Sequence, residues 1–183
     1  MKFLSSLSDG ELVKLVREED QELYAVLVKR YQDKLLRYAQ RILRDEDVAI
    51  DIVQEAFIKA FKNLNGFNIN KKFSSWIYRI AHNLCIDHIR KNKKQISLEE
   101  NEWVKNTISN GEDIEAEFDK KEIKKKVDKV LEKLPVKYRS VLTLYYIEEK
   151  TYEEISDVLR VSKGTVATWL SRGKKLMKKV YEK

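Results

Sequence analysis

Apolar residues returning every three or four positions run through most of this 183-residue chain, and a single proline and five glycines leave them almost uninterrupted. That spacing lines up apolar side chains on one face of an α-helix. Turn-rich sandwiches, barrels and doubly wound sheets need more breakers than this, so the chain is expected to be all-α. Its 43 % apolar content suits two small cores better than one large one. No stretch free of charged residues exceeds eight positions, against the roughly 20 apolar residues that a membrane-spanning helix takes, so no membrane insertion is expected. The opening MKFLSSLSDGEL carries no cleavage-like site and does not read as a signal peptide. The lone cysteine can form no internal disulfide, and beside two histidines it is poor material for structural zinc. Neither metal nor cofactor is expected, and the compartment implied is a reducing cytoplasm.

The elements follow from their caps. Ser8 with Glu11 makes a capping box for a short helix starting near Asp9. Leu23, Leu27, Tyr31, Leu35, Ala39 and Ile42 form the stripe of a helix over about 20–44. Asp45 caps a third, with Val48, Ile52, Ala56, Phe57, Ala60, Phe61 and Leu64 as its buried face. Asn65-Gly66-Phe67-Asn68 breaks it, and Ser74 or Ser75 caps a fourth helix that turns Ile77, Ile80, Ala81, Leu84 and Ile89 inward. Further on, Ile123, Val127, Val130, Leu131 and Leu134 mark a lysine-rich helix, and Pro135 opens the next as its first residue. Val141, Leu142, Leu144 and Tyr145 are the apolar positions of that helix. Thr151 with Glu154 boxes a short helix reaching about Leu159, and Ser162 caps a last one through Val166, Leu170 and Met177.

Charge divides the chain. Residues 1–92 carry a net +3, residues 93–119 a net −5, and residues 120–183 a net +9. The acidic middle also collects Ser97, Ser109, Asn110 and Gly111 and little that can be buried. Two small helical domains are expected, an N-terminal bundle over 1–92 and a C-terminal helix-turn-helix domain over 116–183, joined by a flexible acidic linker over 93–115. By sign alone the linker can shield the basic surfaces beside it, though a solvated tether is the simpler reading.

Residues Thr151–Leu170 are laid out as a helix-turn-helix: the helix YEEISDVL, the turn RVSK, then a helix beginning GTVATWL. Ile155, Leu159, Val166 and Leu170 fall where the two helices lock together. The second helix turns Lys163, Thr165, Thr168, Trp169 and Arg172 outward, followed by lysines that include Lys175. A DNA major groove admits one such helix, its first side chains meeting base edges and later lysines meeting phosphates. Gly164 lets a sugar-phosphate backbone approach the helix start. The turn carries Arg160, and a left-handed backbone there strains a side chain by about 1–2 kcal/mol, so a different form of turn is expected. The same pattern also suits a plain helical bundle with a solvated lysine face.

In the first domain, KKFSSWIYRIAHNLCIDHIRKNKK brackets Phe73, Trp76 and Tyr78 with cations. Rings stack on unpaired bases for about 1–3 kcal/mol per base while cations hold phosphates. The polar loop Asn65–Asn70 can form a pocket for a base, whose unstacking costs a few kcal/mol. By periodicity alone, core packing is the better reading of Phe73 and Trp76. In DIVQEAF, Asp51–Phe57, the carboxylates Asp51 and Glu55 share one side of a helix with Gln54 nearby. With no histidine at metal-ligand spacing they suit a docking face or a solvated one, not an acid–base pair. No nucleophile–base pair or phosphate loop is present, so no enzyme is expected.

The segments RYAQRILRDEDVAIDIVQEAFIKAF, FNINKKFSSWIYRIAHNLCIDHIRK and LPVKYRSVLTLYYIEEKTYEEISDVLRVSKGTV, in that order, resemble an extracytoplasmic-function (ECF) sigma factor, from about Leu23 to Lys94 and Val127 to Lys179. The resemblance implies a bacterial transcription initiation factor that directs core RNA polymerase to promoter DNA. Asp51, Gln54, Glu55 and Phe57 then match the motif that grips the polymerase clamp helices. Phe67 to Phe73, with Asn68, Lys71 and Lys72, correspond to the loop capturing a flipped base of the −10 element. Trp76, Arg79 and Asn83 belong to the adjacent helix, with Arg90 a further DNA contact. Lys163, Gly164, Thr165, Thr168, Trp169, Arg172 and Lys175 fall in the −35 reading head, whose domain rests on the polymerase flap. The resemblance also implies an anti-sigma partner, often membrane-tethered. The chain departs from the family pattern at Thr168-Trp169, where a basic residue usually follows, at Ser156 for alanine and at Arg160 for glycine; Trp169 can pack on a thymine methyl or fill a gap toward the neighbouring helix. The alternative is a stand-alone helix-turn-helix regulator, which needs no polymerase and leaves the aromatic block unexplained.

Overall fold

In the computed structural model, which describes residues 6–99 and 120–181, the elements are helical throughout. Helix α1 spans Asp9–Glu18, α2 Tyr24–Leu43, α3 Glu46–Lys62 and α4 Phe73–Glu99. After the segment that lies outside the described residues come α5 (Lys120–Glu132), α6 (Val136–Leu142), α7 (Tyr152–Leu159) and α8 (Lys163–Tyr181).

The caps explain most of the boundaries. Ser8 accepts from the Glu11 amide while Glu11 Oε2 accepts from the Ser8 amide at 2.7 Å, closing the first capping box. Thr151 and Glu154 close the second. Asp45 caps α3 through the Val48 amide at 3.0 Å, and Ser162 caps α8 through the Thr165 amide at 3.1 Å. Each such cap stabilises its helix by about 1 kcal/mol. Four boundaries differ from expectation. A 3₁₀ turn over Gln21–Leu23 precedes α2, because Asp20 caps it through the Glu22 amide at 2.8 Å. Helix α4 starts at Phe73, ahead of both serines, and the Lys72 carbonyl accepts its first hydrogen bond, from Trp76, at 3.2 Å. Pro135 stands one place before α6 with extended ψ, and its carbonyl receives the Tyr138 and Arg139 amides. Helix α4 also runs on to Glu99, into the stretch expected to be linker; residues 100–119, where the shielding role was expected, are outside the described residues.

Helices α1 to α4 enclose one core, in which Leu12, Leu27, Leu35, Ile42 and Ile77 are fully buried, each worth about 1.5–3 kcal/mol. Phe61, expected inside, is 40 % exposed, because its ring leans on Tyr24 at the edge of the bundle. Helices α5 to α8 bury Leu131, Leu142, Leu144, Ile155 and Leu170, which run on from the first group as one apolar cluster. Leu144 and Tyr145 sit in a π-helical turn, Thr143–Ile147, that follows α6. Gly173 lets α8 approach α6: a Cβ there would meet Leu142 Cδ1 at 3.0 Å. The two units do not float apart. Helix α7 packs along α4, and α5 and α6 touch α2. Across that junction Arg139 donates to the Ile42 carbonyl at 2.9 Å, Arg41 pairs with Asp128 at 2.8 Å, and Tyr78 donates to Glu148.

Candidate nucleic-acid interface

The loop between α3 and α4 owes its shape to one arginine. Arg17, at the end of α1, donates to the carbonyls of Leu64 and Phe67. Asn68 Oδ1 accepts from the Asn70 amide at 2.9 Å, and the Lys71 amide donates back to the Asn68 carbonyl. This Asx turn holds Phe67 inward and leaves Lys71 and Lys72 exposed. Phe67 then meets Trp76 with ring centroids 4.9 Å apart and Phe73 edge-on at 5.7 Å; Phe73 in turn meets Tyr31 at 5.7 Å. A ladder of rings thus climbs from the core to the surface.

At its outer end lies a cavity of about 350 Å³ lined by Gly66, Phe67, Asn68, Lys71, Lys72, Ser75, Trp76 and Arg79, with Asp157 and Arg160 from the second domain. Rings, amide and cations converge there, as a base and its phosphate require. Trp76, Arg79, Asn83 and Arg90 recur at helical spacing along α4, with Asn83 and Arg90 exposed and Arg90 3.6 Å from Asp87. Phe73 is the correction: at 1 % exposure it is a core ring that supports Phe67 and Trp76 and offers nucleic acid no surface. Arg17 and Asp157 were not singled out from the sequence, and nothing in their local pattern marks them; Ser75 was read there as a helix cap and Arg160 as a turn residue only.

On α3, Asp51, Gln54 and Glu55 are exposed, and Lys59 pairs with Glu55 at 2.9 Å. The same helix exposes Ile50 and, at 55 %, Ile58. Phe57 corrects the other way: it is 7 % exposed, edge-on to Tyr24, whose hydroxyl donates to the Phe57 carbonyl at 2.9 Å. It fixes the pitch of the face without presenting itself on it.

In the second domain, α7 and α8 form the helix-turn-helix. Arg160 does adopt the left-handed conformation (φ 56°, ψ 42°), contrary to the expected alternative turn. Its amide reaches the Ser156 carbonyl, the Val161 amide does so at 3.3 Å, and the Ser156 hydroxyl donates to the Val161 carbonyl. The serine that departs from the family pattern braces the arginine that also departs from it. Helix α8 exposes Lys163, Gly164, Thr168, Arg172 and Lys175, with Thr165 half-buried. Lys163 pairs with Glu153 at 2.7 Å, and Thr168 donates to the Gly164 carbonyl at 2.9 Å. Trp169 is half-buried against the core, the packing role of the two.

The geometry defines a class: an all-helical protein with a helix-turn-helix in one domain and a ring-lined, cationic groove on the other. Two family models match it, sigma-70 region 2 over residues 27–95 and sigma-70 region 4 over residues 124–177. The ECF RNA polymerase sigma factor SigW of Bacillus subtilis is 37 % identical over 174 residues, covering 91 % of this chain and 93 % of its own. The ECF RNA polymerase sigma-E factor of Escherichia coli K12 is 32 % identical over 178 residues, covering 92 % of this chain and 91 % of its own. Among solved structures, CnrH in complex with the cytosolic domain of CnrY aligns with a TM-score of 0.70 over 95 % of this chain and 97 % of that one, at 21 % identity, and shares the fold. So does the sigma factor RpoE in complex with the anti-sigma factor NepR from Bartonella quintana, with a TM-score of 0.70 over 87 % and 96 % at 17 % identity. The chain belongs to the ECF sigma factors of the sigma-70 family. It is an RNA polymerase sigma factor, a transcription initiation factor, and the region 2 match accounts for the aromatic block that a stand-alone regulator leaves over. Among the described residues no helix is long and apolar enough to cross a membrane.

Proposed function

We propose that the two domains divide promoter recognition between them. The groove bounded by Phe67, Asn68, Lys71, Lys72, Trp76 and Arg79 holds an unpaired base of the −10 element, and Asn83 and Arg90 continue the track along α4. Trp76, braced from beneath by the buried Phe67, supplies stacking of about 1–3 kcal/mol per base, which offsets the few kcal/mol of unstacking and keeps the bubble open. Helix α8 reads the −35 duplex with Lys163, Thr165, Thr168 and Arg172, Gly164 allowing close approach and Lys175 meeting phosphate. Asp51, Gln54 and Glu55, flanked by the exposed Ile50 and Ile58, dock on the clamp helices of core polymerase, while the second domain rests on its flap. An anti-sigma factor is a further partner of the kind seen with the structural relatives, and the place of action is the cytoplasm. The protein supplies binding energy to polymerase, not a reaction of its own.

The observation that carries this reading is the half-buried Trp76, backed by Phe67 at 4.9 Å, on a cavity of about 350 Å³ that Lys71, Lys72, Arg79 and Arg160 also line. Permanganate, which attacks unpaired thymines, tests it in reconstituted holoenzyme on a responsive promoter. Trp76→Ala should reduce −10 reactivity by about tenfold, the loss of one stacking contact, while upstream duplex protection persists. Unchanged reactivity removes Trp76 from the opening step.

A further inference from the structure

Helix α1 is the platform on which the loop between α3 and α4 lies, although none of its residues lines the cavity. Asp9, at its start, pairs with Arg30 at 2.6 Å and accepts from the Tyr31 hydroxyl, which fixes the helix to α2. Leu12, Val13 and Val16 anchor it in the core. Gly10 faces the loop: a Cβ there would meet the Ile69 carbonyl oxygen at 3.8 Å. At the other end, Arg17 Nε donates to the Leu64 carbonyl at 3.0 Å, and Nη2 donates to the carbonyls of Leu64 and Phe67.

Those two carbonyls decide the course of the loop. Leu64–Gly66 is a 3₁₀ turn, closed by the Phe67 amide on the Leu64 carbonyl at 3.0 Å, and at Phe67 the backbone leaves it for an extended conformation (φ −71°, ψ 127°). Carbonyls at the end of a helical turn lack partners within it and carry partial negative charge, which suits a cation. A guanidinium is a rigid fork that spans two acceptors where an ammonium is a point, and hydrogen bonds from a charged donor are the stronger kind. Phe67 is thereby held twice: its carbonyl by Arg17, and its ring, 5 % exposed, by Trp76 and Phe73. Asn68, next in the chain, and Trp76, in contact with the Phe67 ring, both line the cavity.

We infer that Arg17 is a positioning residue for base capture: its guanidinium fixes the Leu64 and Phe67 carbonyls, and through Phe67 and Asn68 it sets the shape of the pocket that takes an unpaired −10 base. The inference rests on the proposed role of that pocket. A pocket tells bases apart by its shape and by hydrogen bonds to the base edge, so its wall has to be held before the base arrives. Arg17 does not line the cavity. Its loss leaves every stacking and phosphate-binding group present, no longer held in one arrangement. Arg17 therefore governs discrimination at one position of the strand, not attachment to DNA in general.

The test uses holoenzyme reconstituted with the full chain and a fluorescent fork-junction probe, in which a duplex −35 element joins a single-stranded non-template −10 element of a responsive promoter. Each −10 position is replaced in turn by an abasic site, and the ratio of intact to abasic affinity is read by anisotropy. Wild type should lose about tenfold at the captured position. Arg17→Met should cut that ratio to about twofold or less. Penalties at the other positions, upstream duplex protection and circular dichroism should stay as in wild type. Arg17→Lys, which keeps the charge but not the fork, should fall between the two, and it decides the matter if the Arg17→Met chain does not fold. A wild-type ratio in Arg17→Met (or in Arg17→Lys, where only that variant folds) overturns the role of Arg17 and leaves the pocket intact. So does a weakening spread evenly over all positions, which is what a purely structural residue gives. No abasic penalty at any position in wild type, or a penalty that Trp76→Ala leaves undiminished, overturns the pocket and this inference with it.

Discussion

Arg160 and Ser156 show how a pair of side chains settles a turn. None of the described glycines has a positive φ; instead Arg44, Glu149 and Arg160 take left-handed conformations. An arginine in that region is strained by about 1–2 kcal/mol, and the Ser156 hydroxyl bond to the Val161 carbonyl offsets about 1 kcal/mol of it. Ser156→Ala should therefore lower unfolding free energy by about 1 kcal/mol in wild type and by less in the Arg160→Gly background, measured by urea denaturation. Equal losses in both would separate the two residues. The sequence showed the strain at Arg160 but not its brace, because a hydroxyl five positions from its acceptor has no period to reveal it. Burial of rings was legible only in part. Phe73 and Phe57 follow the apolar stripe inward, and the helical period alone places them; the family motif pointed the other way. Phe61 obeys the period and still lies exposed, its ring leaning on Tyr24.

At the scale of elements, the helices were legible almost throughout because their caps are side chains two or three residues from the amides they bind. Boundaries slipped where the cap was backbone or remote: the Lys72 carbonyl at the start of α4, and Arg17 for the loop before it. Arg17 lies 47 positions from Leu64 and 50 from Phe67, beyond the reach of any local pattern. Helix α3 carries the docking face, and its exposed Ile50 and Ile58 beside Asp51 and Glu55 combine apolar contact with negative charge. Reversing both carboxylates, Asp51→Lys with Glu55→Lys, should cut co-purification with core polymerase by about tenfold or more, as like charges meet at the contact. Circular dichroism should stay unchanged, since both side chains are solvent-facing. Undiminished co-purification retires that face.

For the whole molecule, charge and periodicity gave two helical units in the right order, though their buried residues join in one apolar cluster where two cores were expected. What they could not show was that the units pack together. The junction is built from scattered single residues, Arg41, Tyr78, Arg139 and Glu148, whose partners lie 70 to 97 positions away. Trp76 stays half-buried and lines the cavity. The account stands on one claim: unpaired and paired DNA are held by different domains. Footprinting of reconstituted holoenzyme with Trp76→Ala and with Arg172→Ala puts that claim to the question. The account predicts opposite losses: the first variant keeps upstream duplex protection and loses −10 reactivity, and the second loses upstream protection first while −10 strands, once open, stay reactive. Two variants that lose both footprints in equal measure would contradict it.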